Sequence, residues 1–261
     1  MGARKRVVKA GSFGSLRPAS VRSPAQKPAA KPVEAESDTV APTRFEDDAM
    51  NLIYVGDAMC SWCYGFVKPL DALLADPQAA APLQLALVMG GLRPFTTAPK
   101  TTERATELAG HWHHVAEASG QPFAQGPEAA VHLPGFVYDT EPASRATVTV
   151  RSLWPQQVWR YFKAVQHAFY AEGRNVTEPG VLADIAEQLG LPRADFGKAF
   201  ASQEMRDATL QDFQQSQAWG IRGFPTLVAE HGDHLHLVGS GYMPIAKLRE
   251  ALAGVGAAHH H

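Results

Sequence analysis

Two side chains in this sequence could carry redox chemistry, and they stand three positions apart in Cys60-Ser61-Trp62-Cys63. They are the only cysteines among 261 residues. Two cysteines placed at random in a chain this long would take that spacing roughly once in a hundred sequences. A disulfide scaffold is excluded, because closing so short a loop staples almost nothing. A structural zinc site needs four ligands, usually from a second C-x-x-C or a spaced His pair, and neither accompanies the motif. Thiol–disulfide exchange remains: a thiolate attacks a disulfide sulfur, and a second thiol resolves the mixed disulfide. One cysteine must therefore ionise near neutral pH, and another must lie within reach.

The flanking pattern supplies both conditions. Met50-Asn51-Leu52-Ile53-Tyr54-Val55 is a β-rich apolar run ended by Gly56-Asp57, and reads as a buried strand. After the cysteines, Phe66, Leu70, Leu73 and Leu74 form a helical stripe, with Pro69 expected to kink it. Cys60 thus sits at a strand-to-helix junction, where unpaired N–H groups and the helix dipole favour a thiolate. Cys63 falls one turn later, less exposed and close enough to close the disulfide. Cys60 is assigned as nucleophile and Cys63 as resolver. Between them, Ser61 can donate a weak hydrogen bond and Trp62 offers a flat apolar contact. With no histidine between the cysteines to stabilise the thiolate of the reduced form, a less oxidising couple is expected than in a strong oxidant. Further along, Gly223-Phe224-Pro225-Thr226 places a proline directly before a strand, where cis geometry would turn the backbone toward the neighbouring loop. An extended substrate could pair there as another strand would, contacting Ser61, Trp62, Phe224, Pro225 and Thr226.

Beyond the cysteine helix, Leu83–Met89 reads as a second strand closed by Gly90-Gly91. Residues 98–218 are helical in pattern. Thr101–Ser119 ends at Gly120, and Thr140-Glu141-Pro142 reads as a helix start with a capping hydroxyl. Pro155 opens a helix with Val158, Phe162, Val165 and Phe169 on one face. Glu178–Leu189, 192–201 and 203–218 complete the block. Pro225–Glu230 and His234–Val238 then flank His231-Gly232-Asp233 as a hairpin, and Pro244 starts a last helix bearing Ile245, Leu248 and Leu252. The order is α/β: a thioredoxin-like fold with a large all-helical insertion. Residues 50–97 and 219–254 form one discontinuous domain, and 98–218 the insertion.

Gly56-Asp57-Ala58-Met59-Cys60-Ser61-Trp62-Cys63-Tyr64-Gly65-Phe66, Gly90-Gly91-Leu92-Arg93-Pro94, Asp139–Arg145 and Gly220–Leu227 together resemble the DsbA-type thioredoxin-fold family, in particular its FrnE-like cytoplasmic branch. The resemblance spans roughly residues 50–253. It implies thiol oxidoreductase or disulfide isomerase activity, with a cis-proline beside the dithiol. Ala58 stands where many relatives carry proline, which should change loop stiffness more than chemistry.

Other features read more plainly. A net charge of −2 and 45% hydrophobic residues suit a globular protein, without nucleic-acid or membrane partners. Residues 1–33 carry eight cations, no acid and little apolar content, so disorder is expected for 1–46. No apolar stretch there is long enough for a secretory signal, and the chain is expected to be cytoplasmic. Met50 could be the native start, and His259–His261 a tag remnant. His111, His113 and His114, like His231, His234 and His236, lack ligand spacing for a metal. Glu141 and Arg145 read as a helix-surface pair. The leading function is disulfide exchange with protein or small-molecule substrates, using no cofactor beyond the dithiol and a thiol reductant such as glutathione. Two alternatives are a glutathione-dependent isomerase of the 2-hydroxychromene-2-carboxylate type, which typically has serine at the active position, and a redox-independent client-binding chaperone.

Overall fold

The computed structural model describes residues 51–76, 83–231 and 234–257. The tail expected to be disordered, Met50, the Gly232-Asp233 turn and the terminal histidines lie outside the described residues.

The apolar run becomes the central strand β1 (Asn51–Gly56), in which Leu52, Ile53, Tyr54 and Val55 are all buried. Burial of four successive residues requires cover on both faces of the sheet. β1 pairs in parallel with β2 (Gln84–Met89) and antiparallel with β3 (Thr226–His231), so that Ile53 faces Ala86 and Val228. β4 (His234–Ser240) pairs antiparallel with β3, giving the order β2-β1-β3-β4. One face, with Leu52, Tyr54, Leu87, Met89, Leu227 and Ala229, joins the main core. The other carries Ile53, Val55 and Val228 under Trp219, Ile221 and Leu235.

Parallel neighbours need a crossover, and here it contains the cysteines. It forms α1 (Ser61–Gly65) and α2 (Val67–Leu74), broken at Phe66. Pro69 explains the break: it has no N–H to give the Gly65 carbonyl, and its ring crowds that carbonyl.

Six helices separate β2 from β3: α3 (Thr102–Ser119), α4 (Glu141–Leu153), α5 (Val158–Tyr170), α6 (Pro179–Gln188), α7 (Arg193–Phe200) and α8 (Gln203–Ala218). Thr101 caps α3 by accepting from the Arg104 N–H at 3.2 Å, and Gly120 ends it at φ 65°. The start of α4 differs from expectation. Thr140 is already near helical (φ −91°, ψ −5°), so its hydroxyl does not face the first-turn amides. Its oxygen accepts instead from the Arg93 N–H at 3.1 Å, while Asp139 Oδ1 accepts from the Glu141 N–H at 3.1 Å. Val158, Phe162, Val165 and Phe169 of α5 are all buried, as their spacing requires. Each such side chain contributes about 1.5–3 kcal/mol.

The insertion also closes the sheet edge. On the outer side of β2, Asp212 of α8 accepts from the Met89 N–H at 2.8 Å, and Arg151 of α4 donates to the Leu87 carbonyl at 2.6 Å. These two side chains are themselves paired, at 2.7 and 2.9 Å, and stand where a further strand would sit. The chain returns through α9 (Ile245–Ala257), whose Leu248 is fully buried. None of the described helices is long and apolar enough to cross a membrane.

Candidate active site

Cys60 is the N-cap residue of α1, in extended conformation (φ −97°, ψ 118°). Its N–H donates to the Asp57 carbonyl at 3.1 Å, closing the turn out of β1. The Asp57 carboxylate fixes this turn further: Oδ1 accepts from Met59 N–H at 2.8 Å and Oδ2 from Leu92 N–H at 2.7 Å. The cysteine loop and the loop after β2 are thereby held together. Burial raises the Asp57 carboxyl above its ordinary value, against the opposing pull of those two amides.

The two sulfurs are not equivalent. Cys60 retains 7% exposure and Cys63 none, so only Cys60 can be met from outside. Burial pushes the Cys63 thiol well up, and neighbouring Cys60 adds to the effect. The Tyr54 phenol opposes it, being the group that faces Cys63 from the strand below. That hydroxyl is wholly buried and, among the described residues, has no other polar partner of good geometry.

Across the cleft, the Cys60 sulfur lies 3.7 Å from the Phe224 carbonyl, and the Phe224–Pro225 peptide is cis. The Phe224 ring rests on Gly90, where a Cβ would come within 2.1 Å of it. Gly91, at φ 70°, meets Phe213 in the same way at 2.9 Å. The glycine pair is therefore explained by close approach of two rings and a left-handed backbone. The Pro225 carbonyl accepts from Gly241 N–H at 2.7 Å.

The remaining expected contact residues divide. Trp62 is half-buried between His111 of α3, at 5.9 Å, and Tyr242, at 5.7 Å. Ser61 is buried, and its hydroxyl has no hydrogen-bond partner among the described residues. The Thr226 hydroxyl turns inward, donating to the Gly223 carbonyl at 2.8 Å, so its side chain braces the loop instead of facing the cleft. A cavity of about 380 Å³ beside Phe95, Glu141, Gln203 and Arg206 has neither cysteine in its wall.

Beneath the nucleophile lies an aromatic floor. The Tyr138 hydroxyl donates to the carbonyl of Met59, the residue before Cys60, and lies 3.4 Å from the Tyr170 hydroxyl. Tyr170 in turn stacks on Tyr64 of α1 at 5.2 Å and meets Trp112 edge-on at 4.8 Å. The insertion thus grips the cysteine helix through rings.

Glu141 and Arg145 are not the surface pair their spacing suggested. Arg145 Nε is 2.8 Å from Glu141 Oε1, Nη1 donates to the Phe200 carbonyl at 2.8 Å, and the guanidinium lies 4.1 Å from the Phe200 ring centre. Both side chains are buried because α7 packs over this face of α4, which an i,i+4 spacing cannot reveal. His113 and His114 both lean on Glu117, at 3.3 and 3.7 Å. Among the described residues, no group of three or more His, Cys, Asp or Glu could hold a metal ion.

Sequence reasoning did not single out Tyr54, Asp57 or Tyr138. A tyrosine at an inward position of an otherwise aliphatic strand was the available signal for Tyr54. Asp57 was hidden in a turn where Gly-Asp is commonplace, and nothing local marked Tyr138.

No curated protein matches the chain. A crystal structure from Nitrosomonas europaea, described as a candidate protein disulfide isomerase, is 37% identical, with a TM-score of 0.73 over 81% of this chain and 100% of that one. The cytosolic disulfide reductase DsbM of Pseudomonas aeruginosa is 23% identical, with a TM-score of 0.63 over 80% and 98% of the two chains. A 2-hydroxychromene-2-carboxylate isomerase is 15% identical at TM-score 0.55 over 80% and 95%, and like DsbM shows a shared fold alone. The DSBA-like thioredoxin domain matches residues 52–253, from the first residues of β1 to the middle of α9, and with its dithiol at the head of α1 this chain belongs to that family.

Proposed function

We propose that the protein exchanges disulfides with protein or small-molecule substrates, with Cys60 as nucleophile and Cys63 as resolver. The observation that carries this reading is the inequality of the two sulfurs: one reachable beside the Phe224 carbonyl, the other sealed beneath it. In the first step the Cys60 thiolate attacks one sulfur of a substrate disulfide. A Cys60–substrate S–S bond forms, and the other half leaves as a thiolate. Cys63 then gives up its proton and attacks the Cys60 sulfur. The second substrate thiolate leaves, so the substrate gains two electrons and the dithiol becomes a disulfide.

The backbone at Phe224 supports an extended substrate segment beside Cys60, and Trp62 offers an apolar wall. Run forward, the cycle reduces; run with mixed disulfides returned to the substrate, it isomerises. A low-molecular-weight thiol such as glutathione would restore the dithiol. A reducing, cytoplasmic setting suits a chain whose only cysteines are the reacting pair.

The test is insulin reduction by dithiothreitol, with wild type, Cys60→Ser and Cys63→Ser. Wild type should accelerate it, Cys60→Ser should not, and Cys63→Ser should accumulate mixed disulfides. A wild type that is inactive while its dithiol remains titratable would overturn the reading. Client binding that survives loss of both cysteines would favour a chaperone.

A further inference from the structure

Tyr138 joins the nucleophile loop to two cations. Its hydroxyl holds the Met59 carbonyl, while the Arg93 guanidinium lies 5.8 Å and the Lys100 ammonium 5.5 Å from its ring centre. Both cations are half-buried, and among the described residues neither has a carboxylate at ion-pair distance. The nearby acids are otherwise engaged. Asp139 accepts from the Phe95 and Glu141 N–H groups, Asp57 is buried under two amides, and Glu141 is paired with Arg145. Arg104 faces Glu107. Burial lowers Lys100 from its ordinary value, and the neighbouring Arg93 and Arg104 charges lower it further.

Arg93 is also placed firmly. Its N–H donates to Thr140, and the preceding Leu92 N–H to Asp57, so the loop carrying it is tied to the turn that presents Cys60. Two like charges beside one ring, neither with a carboxylate at ion-pair distance among the described residues, make an electrostatic receptor for an anion, and the hydroxyl of that ring holds the residue before the nucleophile. Chemically it would take a carboxylate. Resting on the dithiol reading above, we propose that Arg93 and Lys100 form a carboxylate subsite that selects anionic low-molecular-weight disulfides, such as those of acidic peptide thiols, as reaction partners of Cys60.

The subsite acts on the first exchange step, in which Cys60 attacks one sulfur of the disulfide and the other leaves as thiolate. Drawing the carboxylate toward the cation pair raises the local concentration of disulfide beside that sulfur.

The experiment measures single-turnover oxidation of the reduced protein by three probes: glutathione disulfide (anionic), 2-hydroxyethyl disulfide (neutral) and cystamine (cationic). Each rate is divided by the rate of free dithiothreitol with the same probe. Wild type should prefer the anionic over the cationic probe by about tenfold or more, less so at high salt. Arg93→Gln with Lys100→Gln should erase most of that ratio, and Lys100→Glu alone should push it toward the cationic probe. A merely structural role would lower all three rates together and leave the ratio unchanged, which would overturn the subsite. So would a wild-type ratio no larger than that of dithiothreitol. Failure with the neutral probe as well would sink the dithiol reading itself. A disulfide-linked peptide rich in Glu, compared with its Gln counterpart, tells whether protein-borne carboxylates use the same cations.

Discussion

The Cys60 sulfur and the Phe224 carbonyl oxygen stand 3.7 Å apart, although 164 residues separate them in the chain. Two strands from opposite ends of the described fold bring them together, since Val55 of β1 faces Thr226 of β3. Position in the sheet, and not any local motif, makes one cleft from two loops.

The first prediction concerns what holds Phe224 in place. Its ring lies on Gly90, where a Cβ would intrude to 2.1 Å. Gly90→Ala should therefore push the ring and its carbonyl away from Cys60. A displacement of about 1 Å near a reacting group costs on the order of 100-fold in rate. Insulin reduction should fall by about that factor, while alkylation of Cys60 by iodoacetamide continues. Unchanged insulin turnover would show that Phe224 does not position substrate.

Tyr54 supplies the second. Its phenol is buried against Cys63 and is the side chain that eases ionisation of that thiol. Tyr54→Phe should slow the resolving step several-fold, so a mixed disulfide with a small thiol should persist longer in stopped-flow quench experiments. Stability should change by less than about 1 kcal/mol, because the hydroxyl has no well-formed hydrogen bond to lose. A variant that resolves as fast as wild type would remove Tyr54 from the chemistry.

The third is a pH dependence. Burial holds the proton on Cys63 more tightly in the folded chain than in the unfolded one. Its contribution to stability is fully present below about pH 8.5, the ordinary thiol value, and is lost as pH rises toward the folded value. Urea unfolding of the reduced protein should therefore show stability falling from about pH 8.5 to 9.5, below the range near pH 10 in which the buried tyrosines add their own decline. Cys63→Ala should flatten that decline. Parallel curves for the two proteins would mean that the thiol is not desolvated.

The sequence made some of this legible and concealed the rest, for physical reasons. Strands and helices followed from apolar periodicity, because each buried face leaves its own spacing: Val158, Phe162, Val165 and Phe169 are one example. Cys60 and Cys63 were legible because their chemistry depends on residue type and a three-residue interval. Thr140 was misread as a cap because capping depends on backbone angles, which residue type does not fix. Glu141 and Arg145 were misread because burial depends on α7, some fifty residues on: the Arg145 contact at Phe200 is 55 residues away. Tyr54, Tyr138 and Arg93 acquire their positions only when strands and helices pack, and no local spacing encodes that.

The last prediction tests how the insertion supports the sheet. Met89 N–H and the Leu87 carbonyl are edge groups of β2 that no strand satisfies, and Asp212 and Arg151 take them at 2.8 and 2.6 Å. The Asp212 side chain is 12% exposed and Arg151 29%, so the pair is shielded more than an ordinary surface bridge. Asp212→Ala would strip a buried amide of its acceptor and leave Arg151 without its carboxylate. It should cost about 3 kcal/mol in urea unfolding. Arg151→Ala should cost less, since Asp212 keeps the Met89 amide and stays partly hydrated. The double variant should fall short of the sum by about 1 kcal/mol or more, the mark of a coupled pair. Strict additivity, or a loss below about 0.5 kcal/mol for Asp212→Ala, would show that β2 needs no such latch. In that case Gly90, which follows β2 directly, must be held beneath Phe224 by its own N–H on the Gly56 carbonyl at 2.7 Å together with the Asp57–Leu92 tie.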